Sequence, residues 1–388
     1  MSFIMRNLYL FNPENDMALA SGSPYYMAPS SAKKMANDLA VLPAWYAEDG
    51  SDVLLKDKRH LEWLLNENDH LLSVKGCIDV LPMEHKIVPW GWNPALLRQF
   101  REQGVSDDAL ITDRKMQRIR EFSSRKVAVS LLPRMRLEET IGNSYWFSSV
   151  DDVKEFLVSE DNVLLKSPWS GSGKGIQQVS GRVNENMYGW IKRIIMTQGG
   201  IVGEPFYNKV EDFAMEFYVT DNGIHFVGYS LFETDSRGIY KENWLAADSA
   251  IEKRLSSYVS IAVLDAIRNI LLRELSLLLQ QFYRGYLGVD MMIVRTDKGY
   301  AVHPLVEMNL RMNMGVVARL FHDRFVCTDA CGVYVVEYYA KKGEALYKDN
   351  VMRNSYPLVL ENKRIRSGYK SLTPIFEDTS YQIFVLFK

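Results

Sequence analysis

Two short apolar runs joined by a tight turn constrain this chain more than any other feature. Val289–Arg295 reads as a strand, and Thr296-Asp297-Lys298-Gly299 carries the Asp and Gly of a hairpin turn. A second strand leads into V-E-M-N-L-R-M-N-M-G, Val306–Gly315. Side chains alternate along a strand, so Glu307, Asn309 and Arg311 share one face. With Asp297 and Lys298 as the two-residue loop, Thr296 faces Gly299, Asp290 lies opposite Leu305, and Glu307 is the diagonal neighbour of Asp290. Pro304 has no ladder donor and marks the point where a bulge would shift this register. Two carboxylates and an amide oxygen on one face suit a hard cation bridging phosphate oxygens, with the fixed charge of Arg311 beside it. For E-x-N-x-R alone, a solvated polar face on an edge strand is the plain alternative.

A second segment repeats the theme. Val163-Leu164-Leu165-Lys166 reads as a short buried strand, followed at once by S-P-W-S-G-S-G-K-G, Ser167–Gly175. The glycines and serines let several backbone N–H groups curl toward an anion, and Lys174 adds charge; a flexible surface turn is the plain alternative. A Walker A loop does not fit, because Pro168 stands where its first Gly belongs and Gly175 replaces the required Ser or Thr. No G-x-G-x-x-G opens a helix here either.

A lysine closing a strand, a Gly/Ser-rich flap and a carboxylate hairpin ending in E-x-N, in that order, resemble the ATP-grasp superfamily over roughly residues 113–320. The best-matched parts are Leu164–Gly175, Glu204–Phe217, Gly288–Val294 and Val306–Arg311. E-M-N-x-R is similar to biotin carboxylase, and G-x-D-x-M with E-x-N to the D-alanine–D-alanine ligases. The resemblance implies a mixed α/β and α+β fold. A Rossmann-like pre-ATP-grasp domain (1–111) precedes a small subdomain with the flap (112–200), a large subdomain with the metal site (201–340) and a C-terminal extension (341–388).

The resemblance also implies roles. Lys166 reaches the adenine edge and α-phosphate, while Ser170, Gly171, Ser172, Gly173, Lys174 and Gly175 close over the β- and γ-phosphates. Glu204 begins a linker in which the backbone of Pro205 and Phe206 holds the adenine, and Asp212, or Glu211 one position off, binds the ribose. Asp290, Glu307 and Asn309 hold Mg²⁺ (or Mn²⁺), and Arg311 and Lys174 are the catalytic cations, with Arg311 on the transferred phosphoryl group. A first basic residue at a helix start falls on Arg114 or Lys115.

Elsewhere the chain is less explicit. Asn7–Phe11 opens as a strand, and Glu14, Asn15 and Asp16 lie at the carboxyl edge of the sheet it starts, where they face a substrate or simply cap a helix. Thr112 begins a charged helix, Lys126–Leu132 reads as a strand, and Asp221-Asn222-Gly223 as a hairpin turn. Ile251–Tyr283 holds neither Gly nor Pro and reads as one long helix or two with a bend. Glu233–Trp244 reads as a polar loop in which Arg237 or Lys241 holds a substrate carboxylate or is merely solvated.

Composition excludes several classes. A net charge of −2 argues against a general nucleic-acid surface. No apolar run approaches the ~18–20 residues of a membrane span, and the N-terminus lacks the apolar stretch of a signal peptide, so the expected location is cytoplasmic. Six histidines without an H-x-x-x-H spacing give no zinc motif. The function implied is an ATP- and Mg²⁺-dependent carboxylate–amine ligase acting through an acyl phosphate and releasing ADP and phosphate. Its substrates are a small carboxylate and an amine, an amino acid or peptide by family alone. A kinase-like phosphotransferase or a nucleotide-binding regulator would use the same site.

Overall fold

The computed structural model describes residues 5–66, 72–78, 85–171, 175–181, 183–234 and 240–388. The strands lie in three sheets. Arg6–Leu10 (β1), Asp52–Leu54 (β2), Lys75–Cys77 (β3) and His85–Pro89 (β4) form a parallel sheet in the order β3-β2-β1-β4. Parallel strands are covered on both faces, and Leu8, Tyr9 and Leu10 are accordingly all buried. The direction of winding reverses between β1 and β4, which opens a crevice at their carboxyl ends. The helix Asn15–Ser21 starts there and is stopped by Gly22 at φ 65°.

Tyr145–Phe147 (β5), Asn162–Lys166 (β6), Ile176–Ser180 (β7) and Ile201–Pro205 (β8) make a small antiparallel sheet, β5-β8-β6-β7. Helices Val150–Ser159 and Glu185–Gln198 cover it around a core that includes Val153, Phe156, Leu165, Ile191 and Ile201.

The third sheet has nine strands: Lys209–Thr220 (β9), Gly223–Thr234 (β10), Tyr240–Leu245 (β11), Gly285–Thr296 (β12), Gly299–Asn309 (β13), Gly332–Tyr338 (β14), Val359–Glu361 (β15), Arg364–Ser371 (β16) and Tyr381–Phe387 (β17). Their order is β13-β12-β9-β10-β11-β14-β17-β16-β15, so the C-terminal segment continues the sheet rather than standing apart. Alternation along β9 and β12 decides which face does what. Phe213, Met215, Phe217, Val289, Met291 and Ile293 pack with Leu264, Ile267, Leu271 and Leu275 of the helix Ile261–Leu279. The residues between them, Asp212, Glu216 and Asp290 among them, therefore turn to the opposite face. Trp45 fixes the N-terminal unit to this sheet: its Nε1 donates to the Leu372 carbonyl at 2.6 Å, and its ring meets Phe321 edge-on.

The mixed α/β and α+β class expected from the sequence is the observed one. Several local readings change. Lys126–Leu132, whose V-A-V-S alternation mimics a strand, lies in the helix Arg125–Leu131. Ser124 caps that helix by accepting from Lys126 N at 3.3 Å. Of the two readings of Ile251–Tyr283, two helices is the observed one, Asp248–Leu255 and Ile261–Leu279, the second capped by Ser260. The described residues of Glu233–Trp244 are strand, since β10 runs to Thr234 and β11 begins at Tyr240. Arg237 lies outside the described residues, and Lys241 is exposed with Glu233 at 3.8 Å.

Candidate active site

The β12–β13 hairpin begins as the turn chemistry dictates, Thr296 opposite Gly299, and keeps that register as far as Met292 opposite His303. Beyond this pair a single residue, Met291, faces Pro304, Leu305 and Val306. The bulge at Pro304 shifts the register by two, so Asp290 lies directly opposite Glu307 rather than diagonal to it. A shift of two preserves the face, whereas a shift of one would have inverted it. Two carboxylates are thus held as a cross-strand pair. Burial first, and then the charge of Glu307, hold the Asp290 carboxyl well above the usual carboxylate range. A divalent cation between the two would remove both penalties.

Among the described residues no three His, Cys, Asp or Glu side chains gather into a metal cluster. Two carboxylates completed by phosphate oxygens and water nonetheless fit the way Mg²⁺ is held beside a nucleotide. Asn309 lies next in line, its Nδ2 donating to Asp290 Oδ2 at 2.9 Å and its Oδ1 accepting from Arg311 at 3.0 Å. Oδ1 keeps a second lone pair for a cation beside its bond from Arg311.

Two guanidinium groups frame this acidic pair. Arg311 makes a bidentate bond to Asp16, at 2.8 and 2.7 Å, and so ties the hairpin to the first helix of the N-terminal unit. Burial opposes its charge, but Asp16, Glu307 and Asp290 raise its pKa on balance. Asp16 therefore does more than favour a helix start. The second guanidinium belongs to Arg125, at the head of a helix misread from sequence. It is buried, with Nη2 donating to Glu307 at 2.7 Å and Nη1 to the Ser167 carbonyl and Ser170 Oγ, both at 2.7 Å. The S-S-R start with its Ser cap was the signal available in the sequence. Lys115, by contrast, is exposed on the helix Asp113–Phe122. It lies on the side of Asp221, whose carboxyl is lowered chiefly by Arg284 and only slightly by Lys115. Arg114 is exposed as well.

The base of the Gly/Ser-rich loop closes over the same spot. Ser167 N donates to the Gly175 carbonyl at 2.8 Å, which pinches the loop at its neck. A side chain on Gly171 would come within 3.1 Å of Asp16 Oδ2, so the loop backbone passes close to the Asp16–Arg311 pair. Trp169 anchors the loop through Nε1 to the Arg120 carbonyl at 2.9 Å. Ser172, Gly173 and Lys174 lie outside the described residues.

Lys166 and Glu204, on neighbouring strands of the small sheet, form a buried ion pair at 2.5 Å, and Ser144 Oγ donates to the second Glu204 oxygen at 3.0 Å. Pro205 has no N–H, and that of Phe206 donates to the Asn162 carbonyl at 2.9 Å, so neither offers a backbone donor to a base. Asp212 faces the cleft side of β9 with Lys209 and Thr234 Oγ1 as partners. Glu211 points the other way, into a bidentate bond with Arg254. Deeper on the cleft face, Glu216 is fully buried and accepts from Ser230 at 2.9 Å and Asn313 at 3.0 Å. Burial pushes its carboxyl up to about 7 in spite of those bonds.

A larger concavity of about 570 Å³ lies elsewhere, lined by Ala247, Asp329, Arg364 and Arg366. Both of its guanidinium groups are already taken up, Arg366 by Glu361 and Asp329 and Arg364 by the Asp323 and Val326 carbonyls. The charged cleft at Glu307 and Arg311 is the better candidate.

Two antiparallel sheets meet across a charged cleft, behind an N-terminal parallel sheet, and this arrangement defines a known class of fold. It is the ATP-grasp fold. The chain is similar along its whole length to biotin carboxylase from Campylobacter jejuni, solved as a β,γ-ATP complex, with 11% identity, a TM-score of 0.54 and 88% of that chain covered. It is likewise similar to N5-carboxyaminoimidazole ribonucleotide synthetase in an ADP complex, with 12% identity, a TM-score of 0.51, and 100% of this chain and 94% of that one covered. No protein-family model matches the sequence, and no curated protein matches it either. No helix among the described residues is long and apolar enough to cross a membrane.

Proposed function

We propose that this chain is an ATP- and Mg²⁺-dependent carboxylate–amine ligase. In the reaction the γ-phosphoryl group of ATP passes to a substrate carboxylate, giving an acyl phosphate and ADP. The amine then attacks the acyl carbon, loses a proton, and inorganic phosphate leaves. The observation that carries this reading is the Asp290–Glu307 pair, directly opposed on one face and flanked by Arg125 and Arg311. Asp290 and Glu307, with Asn309 turned toward them, would hold the metal, which when bound supplies charge neutralisation for phosphoryl oxygens.

The remaining work falls to the chain itself. Arg311, fixed by Asp16, sets a positive charge beside the transferred group without having to reorganise. Arg125 bonds Glu307, the Ser167 carbonyl and Ser170 Oγ together, so the acidic pair is tied to the start of the Gly/Ser-rich loop. Lys166, on the small sheet, would contact the nucleotide, as would Lys174. Asp212 would bind the ribose, and the segment Glu204 begins would lie beside the base. The acceptor lies in the crevice beyond Asp16. There Glu14 is a half-buried carboxylate whose pKa burial raises, suited to an amine or its ammonium form. Positioning and fixed charge suffice for this chemistry, and no protein nucleophile is required.

A screen of amino acids and small carboxylic acids for ADP and phosphate release, with mass spectrometry of the products, tests the reading. An amide product supports it. A stable phosphorylated product without amide would replace it with the kinase.

A further inference from the structure

His303 is completely buried, and neither of its ring nitrogens has a hydrogen-bond partner. It lies opposite Met292, while Asp290, two residues along β12, lies opposite Glu307. The imidazole is therefore on the cleft face, one step from the acidic pair toward the hairpin turn. Three neighbours describe its surroundings. The Tyr207 ring stands edge-on at 5.5 Å, just past the linker that Glu204 begins. Gly142, at φ 135°, passes so close that a Cβ would come within 2.7 Å of the imidazole. The Lys166–Glu204 pair is near enough to act on the ring's charge, in opposite directions, while burial pushes its pKa down to about 4. The ring is thus neutral near pH 7 and offers one donor and one acceptor. Buried polar groups are almost always paired, and the described residues give these two ring nitrogens no partner.

We propose that His303 is a nucleobase-binding residue, its imidazole hydrogen-bonding the edge of the base whose phosphates face Asp290 and Glu307. This rests on the nucleotide reading above and extends it to a residue that the resemblance did not suggest. Met292 and Tyr207 flank the imidazole with apolar surface, and the neutral ring would supply a directional bond to a base that reaches it. A purine answers both of its needs, with ring nitrogens as acceptors and, in adenine, an exocyclic amino donor.

Calorimetric titration of wild type and His303→Phe with MgATP and with magnesium tripolyphosphate, which lacks the base, separates the possibilities. The expected result is a loss of about tenfold in ATP affinity with tripolyphosphate affinity unchanged. The variant should also melt no lower than wild type without ligand, since two unpaired nitrogens are removed. Equal losses for both ligands, or no loss for ATP, would overturn the proposal. If wild type binds tripolyphosphate but gains nothing from the base, the inference fails while the phosphate site stands. If it binds neither, the nucleotide reading itself has failed. Should the variant not fold, a crystal structure of wild type with a non-hydrolysable ATP analogue decides. A His303 nitrogen within hydrogen-bonding distance of the base supports the proposal, and a base lying elsewhere overturns it.

Discussion

Two pairs of ionisable side chains line this cleft, and they are built on opposite principles. Lys166 and Glu204, on the small sheet, are opposite charges, buried together, with a serine hydroxyl satisfying the remaining carboxylate oxygen. Asp290 and Glu307, on the large sheet, are like charges directly across a ladder, and Arg125 and Asn309 only partly relieve them. The first pair is complete without a ligand. The second is left with an Asp290 carboxyl held above its usual range, which a divalent cation would lower, and the proposed metal site rests on that contrast. A pair can be buried for packing, but two opposed carboxylates are difficult to account for except by what they bind.

Breaking the acidic pair should have the largest effect. Glu307→Gln or Asp290→Asn should lower ADP release by more than the roughly 10–100-fold typical of losing an outer ligand-orienting group. Metal-free Asp290→Asn should keep or gain stability, because a like-charge contact disappears, whereas Glu307→Gln also takes the carboxylate partner from the buried Arg125 and should lose some; ADP release and thermal melts measure the two effects. Breaking the complete pair should do the reverse. Lys166→Met leaves Glu204 buried without its partner and should destabilise the fold by about 3–5 kcal/mol, read by denaturant unfolding. Replacing both partners by apolar residues of similar volume should restore most of that stability.

Asp16→Asn, which removes the charge facing Arg311, should follow at roughly 1.5–3 kcal/mol, with weaker nucleotide binding. The pH dependence sharpens the comparison further. Because the native carboxyl of Glu216 titrates near 7, above its usual value near 4.5, the folded state holds an extra proton between those limits. Stability must therefore fall as pH rises through about 4.5 to 7, and Glu216→Gln should flatten that slope in melts across the range. The smallest effect belongs to Lys115→Ala, expected within about 0.5 kcal/mol in stability. Arg125→Ala should cost nucleotide affinity far more.

Strand alternation and turn chemistry made much of this legible in the sequence. The strand read at Val163–Lys166 is Asn162–Lys166 in the structure, and the hairpin turn at Asp297-Lys298 fixed the face of Asp290. What escaped was set by tertiary context. Pro304 warned of a bulge, but only packing decided that the slip was two residues and produced direct opposition. Arg125 was hidden because Val127 and Val129, β-branched and alternating, look like a strand, while the Ser124 cap and the surrounding core favour a helix. The partnership of Asp16 with Arg311 spans nearly the whole chain and leaves no local trace. His303 carries no motif at all; only its burial without partners draws notice.

The most direct test of the account is electron paramagnetic resonance of Mn²⁺ titrated into the protein with a non-hydrolysable ATP analogue. Wild type should bind the ion in a nucleotide-dependent complex, and Glu307→Gln and Asp290→Asn should lose it while remaining folded. Equal binding by wild type and both variants, or none by wild type, would contradict the claim that the opposed carboxylates exist to hold a metal.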